Sequence, residues 1–190
     1  LTELREHRGG GFQGRIAESG RPGAAWLHSL IAARTRWDRF RETSHSTGPG
    51  VWALMLLTLL HAEYDPNGTV MRARMAQVRR AELTETYTLS LAILLLEKLY
   101  APRGERAALI SGALAGPVAR QPSAADRLLL EQWTRRLLDN RDRAVDRAYV
   151  SRWGYTGNGY DNSNTQFALL ALHAAALCGV EVSRGVWHSP

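Results

Sequence analysis

The run Asp161-Asn162-Ser163-Asn164 stands immediately before an apolar stretch of the sequence, and its residue types suit two kinds of chemistry. Their side-chain oxygens are well suited to accept the free backbone N–H groups at the start of a helix. A helix start also attracts anions, because the positive end of the helix dipole lies there. The run therefore predicts a helix cap first, and a polar or anionic ligand site as the alternative.

Asp161, His173 and Cys178 are residue types that bind zinc, so a metal site is the next chemistry to weigh. His173 and Cys178 are five residues apart on one predicted helix, and their side chains therefore point about 140° away from each other. We expect no metal and no cofactor. Cys178 is predicted to be a small buried residue beside a helix end, and His173 a packed or surface histidine.

The composition of the chain indicates a globular domain or a piece of a larger one. It has 190 residues, of which 45% are hydrophobic and 22% charged. The net charge of +6 comes almost entirely from arginine, and acids are interleaved with the arginines in the densest stretch, 135–147. A surface that binds nucleic acid carries a continuous stripe of positive charge, so nucleic acid is not an expected partner.

The longest apolar runs, 51–60 and 167–180, fall short of the roughly 20 residues of a membrane span.

The elements that position these residues are predicted to be helices of two alternating kinds. Residues 1–21 are rich in glycine and show no hydrophobic periodicity, so they are predicted to form a flexible lead-in. Amphipathic helices are predicted from residue 22, over 70–80 and over 123–138. Helices that are apolar on nearly every side are predicted over 51–60, 86–96 and 167–179, after a loop at 43–50. No pattern of period two predicts a strand.

The apolar helices determine the expected packing. A helix without a polar side needs protein on every side, whereas an amphipathic helix needs it on one, and this favours an inner and an outer layer. Aligning Gly50, Thr88 and Thr165 superposes the three apolar helices, at separations of 38 and 77 residues. The second separation is about twice the first, which indicates repeated helical hairpins. Leu170 is expected inside, where an aspartate would unfold the domain.

The last third of the chain resembles the prenyltransferase and squalene-oxidase repeat of terpenoid-cyclase-like proteins. The likeness is carried by Trp153-Gly154-Tyr155, by the run from Tyr160 to Ala175, and by Cys178-Gly179-Val180. The segment Thr86 to Ala92 is similar to the preceding repeat. The resemblance covers about residues 22–187 and is closest to bacterial members of uncharacterised function. It implies an α/α toroid, in which inner helices ring a central cavity. Three hairpins form about half of such a ring, which implies a fragment or a partner that completes it.

The resemblance also bears on catalysis. Cyclases of this family protonate their substrate with the acid of an Asp-x-Asp-Asp-Thr-Ala motif. Asp161 and Thr165 match that motif, but Ser163 and Asn164 replace the two central carboxylates. Neither residue is a strong proton donor. The resemblance therefore implies a toroid that lacks the cyclising acid in this segment.

These observations predict an all-α fold, a partial or complete α/α toroid over residues 22–190, with a non-cyclising binding function. The expected partner is an apolar or anionic small ligand in the central cavity, or a protein that completes the ring. Two alternatives stay open: an enzyme that handles terpenoids or prenyl groups with its acid outside this segment, and a structural subunit of a larger assembly. The residues predicted to bind the ligand are Tyr87, Trp153, Tyr155, Tyr160, Asp161, Asn164 and Gln166.

Overall fold

The computed structural model describes residues 20–33, 48–142, 152–155 and 161–187, and this part of the chain is all-α. Its seven helices are α1 (20–32), α2 (Gly48–His61), α3 (Thr69–Arg80), α4 (Thr86–Leu99), α5 (Glu105–Ile110), α6 (Ala124–Asp139) and α7 (Asn162–Leu177). Two short strands, β1 (Arg141–Asp142) and β2 (Arg152–Trp153), pair antiparallel. Most of the predicted lead-in, 1–21, lies outside the described residues. None of the described helices is long and apolar enough to cross a membrane.

Helix α4 is the centre of the packing, because it contacts α2, α6 and α7. Nine of its fourteen residues are buried, so α4 matches the expectation of an apolar helix enclosed by protein. Leu89 and Ile93 are completely buried. Burial of each such side chain contributes about 1.5–3 kcal/mol to folding.

Helices α2, α4 and α7 run parallel to one another. Gly50 lies against Thr88, and the ring of Tyr87 packs on that of Phe167, so the three N-terminal ends lie together. At the other end, Arg120 donates hydrogen bonds both to the Glu97 carboxylate of α4 and, through its backbone N–H, to the carbonyl oxygen of Leu177 at the end of α7. The three apolar helices therefore form one layer with a common direction.

The amphipathic helices α3 and α6 cover one side of this layer. The predicted apolar stripe of α3 is confirmed, since Met71, Met75 and Val78 are all buried. The Arg79 guanidinium of α3 bonds the Asp126 carboxylate of α6 through two hydrogen bonds of 2.7 and 2.8 Å. This ion pair joins the two helices on the same side of the layer.

The start of α2 differs from the prediction of a loop over 43–50. Gly48, Pro49 and Gly50 are helical, and both glycines are buried. A Cβ atom on Gly50 would lie 2.8 Å from Oγ1 and 3.3 Å from the Cα atom of Thr88. Glycine is therefore favoured here, because a Cβ atom would force Thr88 or the two helices to shift.

The prediction that Leu170 lies inside is wrong, because its side chain is 48% exposed. Leu54 of α2 is 49% exposed and Val51 is 38% exposed. The physical reason is that α3 and α6 cover only one side of the layer of apolar helices. A helix that is apolar all round does not reveal in its sequence which side lacks a neighbour.

Candidate functional site

Strand β2 holds the N-terminal ends of α4 and α7 in place. The Trp153 backbone N–H donates to Oγ1 of Thr165 at 3.0 Å, and that hydroxyl donates back to the Trp153 carbonyl oxygen at 3.2 Å. Thr86 of α4 donates its hydroxyl to the carbonyl oxygen of Gly154 at 3.2 Å. The two helix starts are thus tied to the adjacent residues Trp153 and Gly154, at the end of a short strand that no sequence pattern predicted.

Asp161 caps α7, as the capping interpretation of residues 161–164 predicted. Its Oδ1 accepts hydrogen bonds from the backbone N–H of Ser163 at 2.6 Å and of Asn164 at 3.1 Å. The Ser163 hydroxyl also donates to Oδ1, and the Asn164 amide donates to Oδ2, both at 2.6 Å. These bonds, first those of the Ser163 and Asn164 side chains, lower the pKa of Asp161 to about 2. The carboxylate is therefore ionised at neutral pH.

Asn164 lies beneath the cap and is completely buried. Its Nδ2 atom bonds Asp161, while its Oδ1 atom accepts no hydrogen bond from any described residue. Asn164 thus contributes to the cap from within the protein, and its side chain does not reach the surface.

Two tyrosines lie beside the cap. The rings of Tyr87 and Phe167 have centroids 4.4 Å apart, with an angle of 34° between their planes. Burial raises the pKa of the Tyr87 hydroxyl, and the nearby side chains of Tyr155 and Asp161 raise it further. Tyr155 is 62% exposed. Tyr87, Tyr155 and Asp161 therefore form one polar cluster at the start of the layer.

The other predicted ligand residues are distributed differently. Trp153 is completely buried, and its indole N–H donates to the Leu137 carbonyl oxygen at 2.6 Å, so its ring is part of the core. Gln166 is exposed on α7. Tyr160 lies outside the described residues. The structure thus brings Tyr87, Tyr155 and Asp161 together and places Trp153 and Asn164 beneath them.

A second surface, which the sequence did not predict as a site, lies on the uncovered side of the apolar layer. We call it the open face. It consists of the exposed Val51, Leu54 and Leu170 and the partly buried Tyr87 and Leu94. They lie on α2, α4 and α7, the helices of the layer whose other side carries α3 and α6. Large exposed apolar patches mark ligand or partner sites.

Asp161 and Cys178, two of the residues weighed as zinc ligands, lie at opposite ends of α7. His173 is exposed whereas Cys178 is buried, as their spacing predicted. Within the described residues no three His, Cys, Asp or Glu side chains are grouped as metal ligands. Burial, and next the charge of Glu97, raise the pKa of the Cys178 thiol to about 11. The thiol is therefore protonated and a poor nucleophile at neutral pH.

A groove of about 500 Å³ lies on the covered side, between the end of α3 and α6. Its charged lining residues carry both signs and include Arg80, Glu82, Arg136 and Asp139. The Arg136 guanidinium donates to the Leu83 carbonyl oxygen at 2.7 Å. The groove shares no residue with the open face or with the polar cluster, and mixed charges of this kind are typical of a solvated surface.

Comparison of the chain with protein-family models, with curated proteins and with solved structures finds no match.

Proposed function

We propose that this chain is a non-cyclising binding module of the α/α-toroid type, which holds an elongated apolar ligand along its open face. The parallel layer of α2, α4 and α7, with α3 and α6 on one side of it, supports the proposal, because an α/α toroid alternates inner and outer helices along the chain. The open face is then the surface that lines the central cavity.

The exposure of three large apolar side chains on α2 and α7, the two helices on either side of α4, carries the proposal. Val51, Leu54 and Leu170 are 38–49% exposed, although each belongs to a helix of the hydrophobic layer. Water contact with this surface costs about 25 cal/mol per Å², and an apolar ligand that covers it recovers that free energy. A ligand that covers both Leu54 and Leu170 has to reach across α4, which lies between α2 and α7, and this favours an elongated ligand.

The chemistry of Asp161 supports binding without cyclisation. A cyclising acid must be protonated in the resting protein so that it can transfer its proton to an alkene or epoxide. Asp161 has a pKa of about 2 and is occupied as a helix cap. The one carboxylate that matches the cyclase motif therefore stabilises the helix and holds no proton to transfer.

A calorimetric titration with oleyl alcohol, an uncharged long-chain probe, tests the proposal. We expect saturable binding to the wild-type chain and a loss of about tenfold or more in affinity for Leu170→Asp, which places a charge on the open face. Leu128→Asp is the matched control, because Leu128 is 66% exposed on α6, away from the open face. It is expected to bind like the wild type.

Three results would contradict the proposal. Equal affinities of Leu170→Asp and Leu128→Asp would place the ligand elsewhere. A concentration-dependent dimer in light scattering, abolished by Leu170→Asp in the absence of ligand, would make the open face a protein interface. Conversion of squalene or a prenyl diphosphate to a cyclic product would show that the chain has a cyclising acid.

A further inference from the structure

The segment between α3 and α4 crosses the surface of α6 in a nearly extended form. Where it begins, the Arg79 guanidinium bonds Asp126, close to the start of α6. Where it ends, the Thr84 carbonyl oxygen accepts a hydrogen bond of 2.7 Å from the Asn140 amide, just past the end of α6. The helical rise from residue 126 to residue 140 is about 21 Å. The five residues after Arg79 approach this length only when the chain is close to full extension.

Residues 81–84, which we call the connecting segment, resemble an unpaired strand. Ala81 has extended backbone angles, with φ at −74° and ψ at 143°. Glu82 is exposed, Leu83 is buried and Thr84 is exposed, which is the alternation of a strand. The backbone N–H groups of Glu82, Leu83 and Thr84 donate no hydrogen bond to the part of the chain that the structure describes. Unpaired backbone groups on an extended chain are what an added strand binds.

The groove of about 500 Å³ lies between the connecting segment and α6. Part of its lining is apolar and comes from the buried Leu83 and Trp133 and the half-buried Leu129. A volume of this size lies in the range of ligand-binding pockets. The groove can therefore receive an aliphatic side chain beside an extended backbone.

Most charged residues of the groove already have partners. Arg79 pairs with Asp126, and Nη2 of Arg136 lies 3.6 Å from Oε1 of Glu82. Asp139, the other acid of the lining, has a partner of its own. Charges that are paired in this way are those of a solvated surface.

Two arginines of the groove, Arg80 on α3 and Arg135 on α6, differ from the rest. Both are exposed, and neither forms an ion pair with a described residue. The one hydrogen bond that Arg80 donates to the described chain goes to the carbonyl oxygen of Ala76, in its own helix. The groove therefore has an uncommitted cation on each of the two helices that border it. Carboxylates are the natural partners of such guanidinium groups, because they accept charge-assisted hydrogen bonds.

We propose that the groove is a docking site for an extended, acidic segment of a partner protein. The segment adds alongside residues 81–84 and places carboxylates against Arg80 and Arg135. In this mode of recognition the backbone hydrogen bonds give affinity, and the pockets for alternate side chains give specificity. Aliphatic side chains at the alternate positions of the segment pack on the apolar lining. Because the groove shares no residue with the open face, this inference is independent of the proposed function.

Fluorescence anisotropy with a fluorescein-labelled pentapeptide of alternating glutamate and leucine tests the inference. We expect saturable binding to the wild-type chain, and binding about tenfold or more weaker when glutamines replace the glutamates. Two further peptides carry N-methyl groups on one or the other set of alternate amides. One set of amides faces the connecting segment and the other faces away, so only one methylated peptide is expected to lose affinity.

The double variant Arg80→Met/Arg135→Met removes both uncommitted cations. It is expected to bind the acidic peptide about tenfold or more weakly than the wild type, with an unchanged Tm because both side chains are exposed. The matched control is Arg72→Met/Arg103→Met, which removes two exposed cations that do not line the groove. This control is expected to bind like the wild type.

Four results would overturn the inference. Equal losses in the two double variants would reduce the attraction to net charge. Equal affinities for the glutamate and glutamine peptides would remove the role of the arginines, and equal affinities for the two methylated peptides would exclude strand addition. Absence of binding by the wild-type chain would show that the groove is not a docking site for such a segment. Each of these results leaves the titration with oleyl alcohol, and with it the proposed function, unaffected.

Discussion

Leu170 and Leu172 lie two residues apart on α7 and on opposite sides of the helix: Leu170 is 48% exposed, and Leu172 is completely buried. A separation of two residues turns a helix by about 200°, which accounts for the difference. Leu172 therefore belongs to the core, while Leu170 belongs to the open face.

This pair yields a prediction from two chemically identical substitutions. Leu172→Asp is expected to unfold the domain, at a cost of at least about 4 kcal/mol, because it buries an unpaired charge. Leu170→Asp is expected to cost about 1 kcal/mol or less, since its carboxylate reaches water. Urea titrations followed by circular dichroism measure both. An unfolded Leu170→Asp chain beside a stable Leu172→Asp chain would reverse the assignment of the two sides.

The cap of α7 predicts a pH dependence. The folded pKa of Asp161, about 2, is depressed below its ordinary value of 3.8, so its stabilisation is fully present above about pH 4 and is lost as the pH falls through about 2. Asp161→Asn is therefore expected to melt below the wild type at pH 7, and the difference in Tm is expected to shrink between pH 4 and pH 2. A difference that stays constant down to pH 2 would show that the carboxylate charge is not what stabilises the cap.

The close approach of α2 and α4 predicts opposite effects of one substitution at two glycines. Gly50→Ala is expected to destabilise the fold by about 1–3 kcal/mol, because the new Cβ overlaps Thr88. Gly23→Ala, in α1, meets no atom within 4 Å and is expected to stabilise by up to about 1 kcal/mol through helix propensity alone. Chemical denaturation compares the two variants. A stabilising Gly50→Ala would show that α2 and α4 lie farther apart.

Cys178 offers a test of packing at the end of α7, because it is the chain's single cysteine. It is buried, with a thiol pKa raised to about 11, so we expect the native protein to resist a disulfide reagent at pH 8. One thiol per chain is expected to react after unfolding in urea. Rapid stoichiometric reaction of the native protein would mean that the end of α7 is open to solvent.

The sequence predicted the parts of the fold that depend on local pattern. The buried stripe of α3, with Met71, Met75 and Val78, follows from helical spacing, and the cap at Asp161 follows from the residue types before an apolar run. These features need only the residues of one element, and for that reason they can be read from the chain.

The features that were missed depend on contacts between distant residues. The side of α7 that carries Leu170 is uncovered because of where α3 and α6 pack, which the apolar sequence of α7 does not encode. Trp153, predicted to contact the ligand, is in the core because its indole reaches the carbonyl oxygen of Leu137. Likewise, Arg120 pairs with Glu97, which is 23 positions away in the sequence, and with Glu105, which is 15 positions away.

The most direct measurement of the central claim is photoaffinity labelling of the wild-type chain with a diazirine-bearing long-chain probe, followed by mapping of the modified peptides. We predict saturable adducts on α2, α4 and α7, at or beside Leu54, Leu94 and Leu170, that excess oleyl alcohol displaces. Adducts confined to α3 and α6, or labelling that excess oleyl alcohol leaves unchanged, would contradict the account.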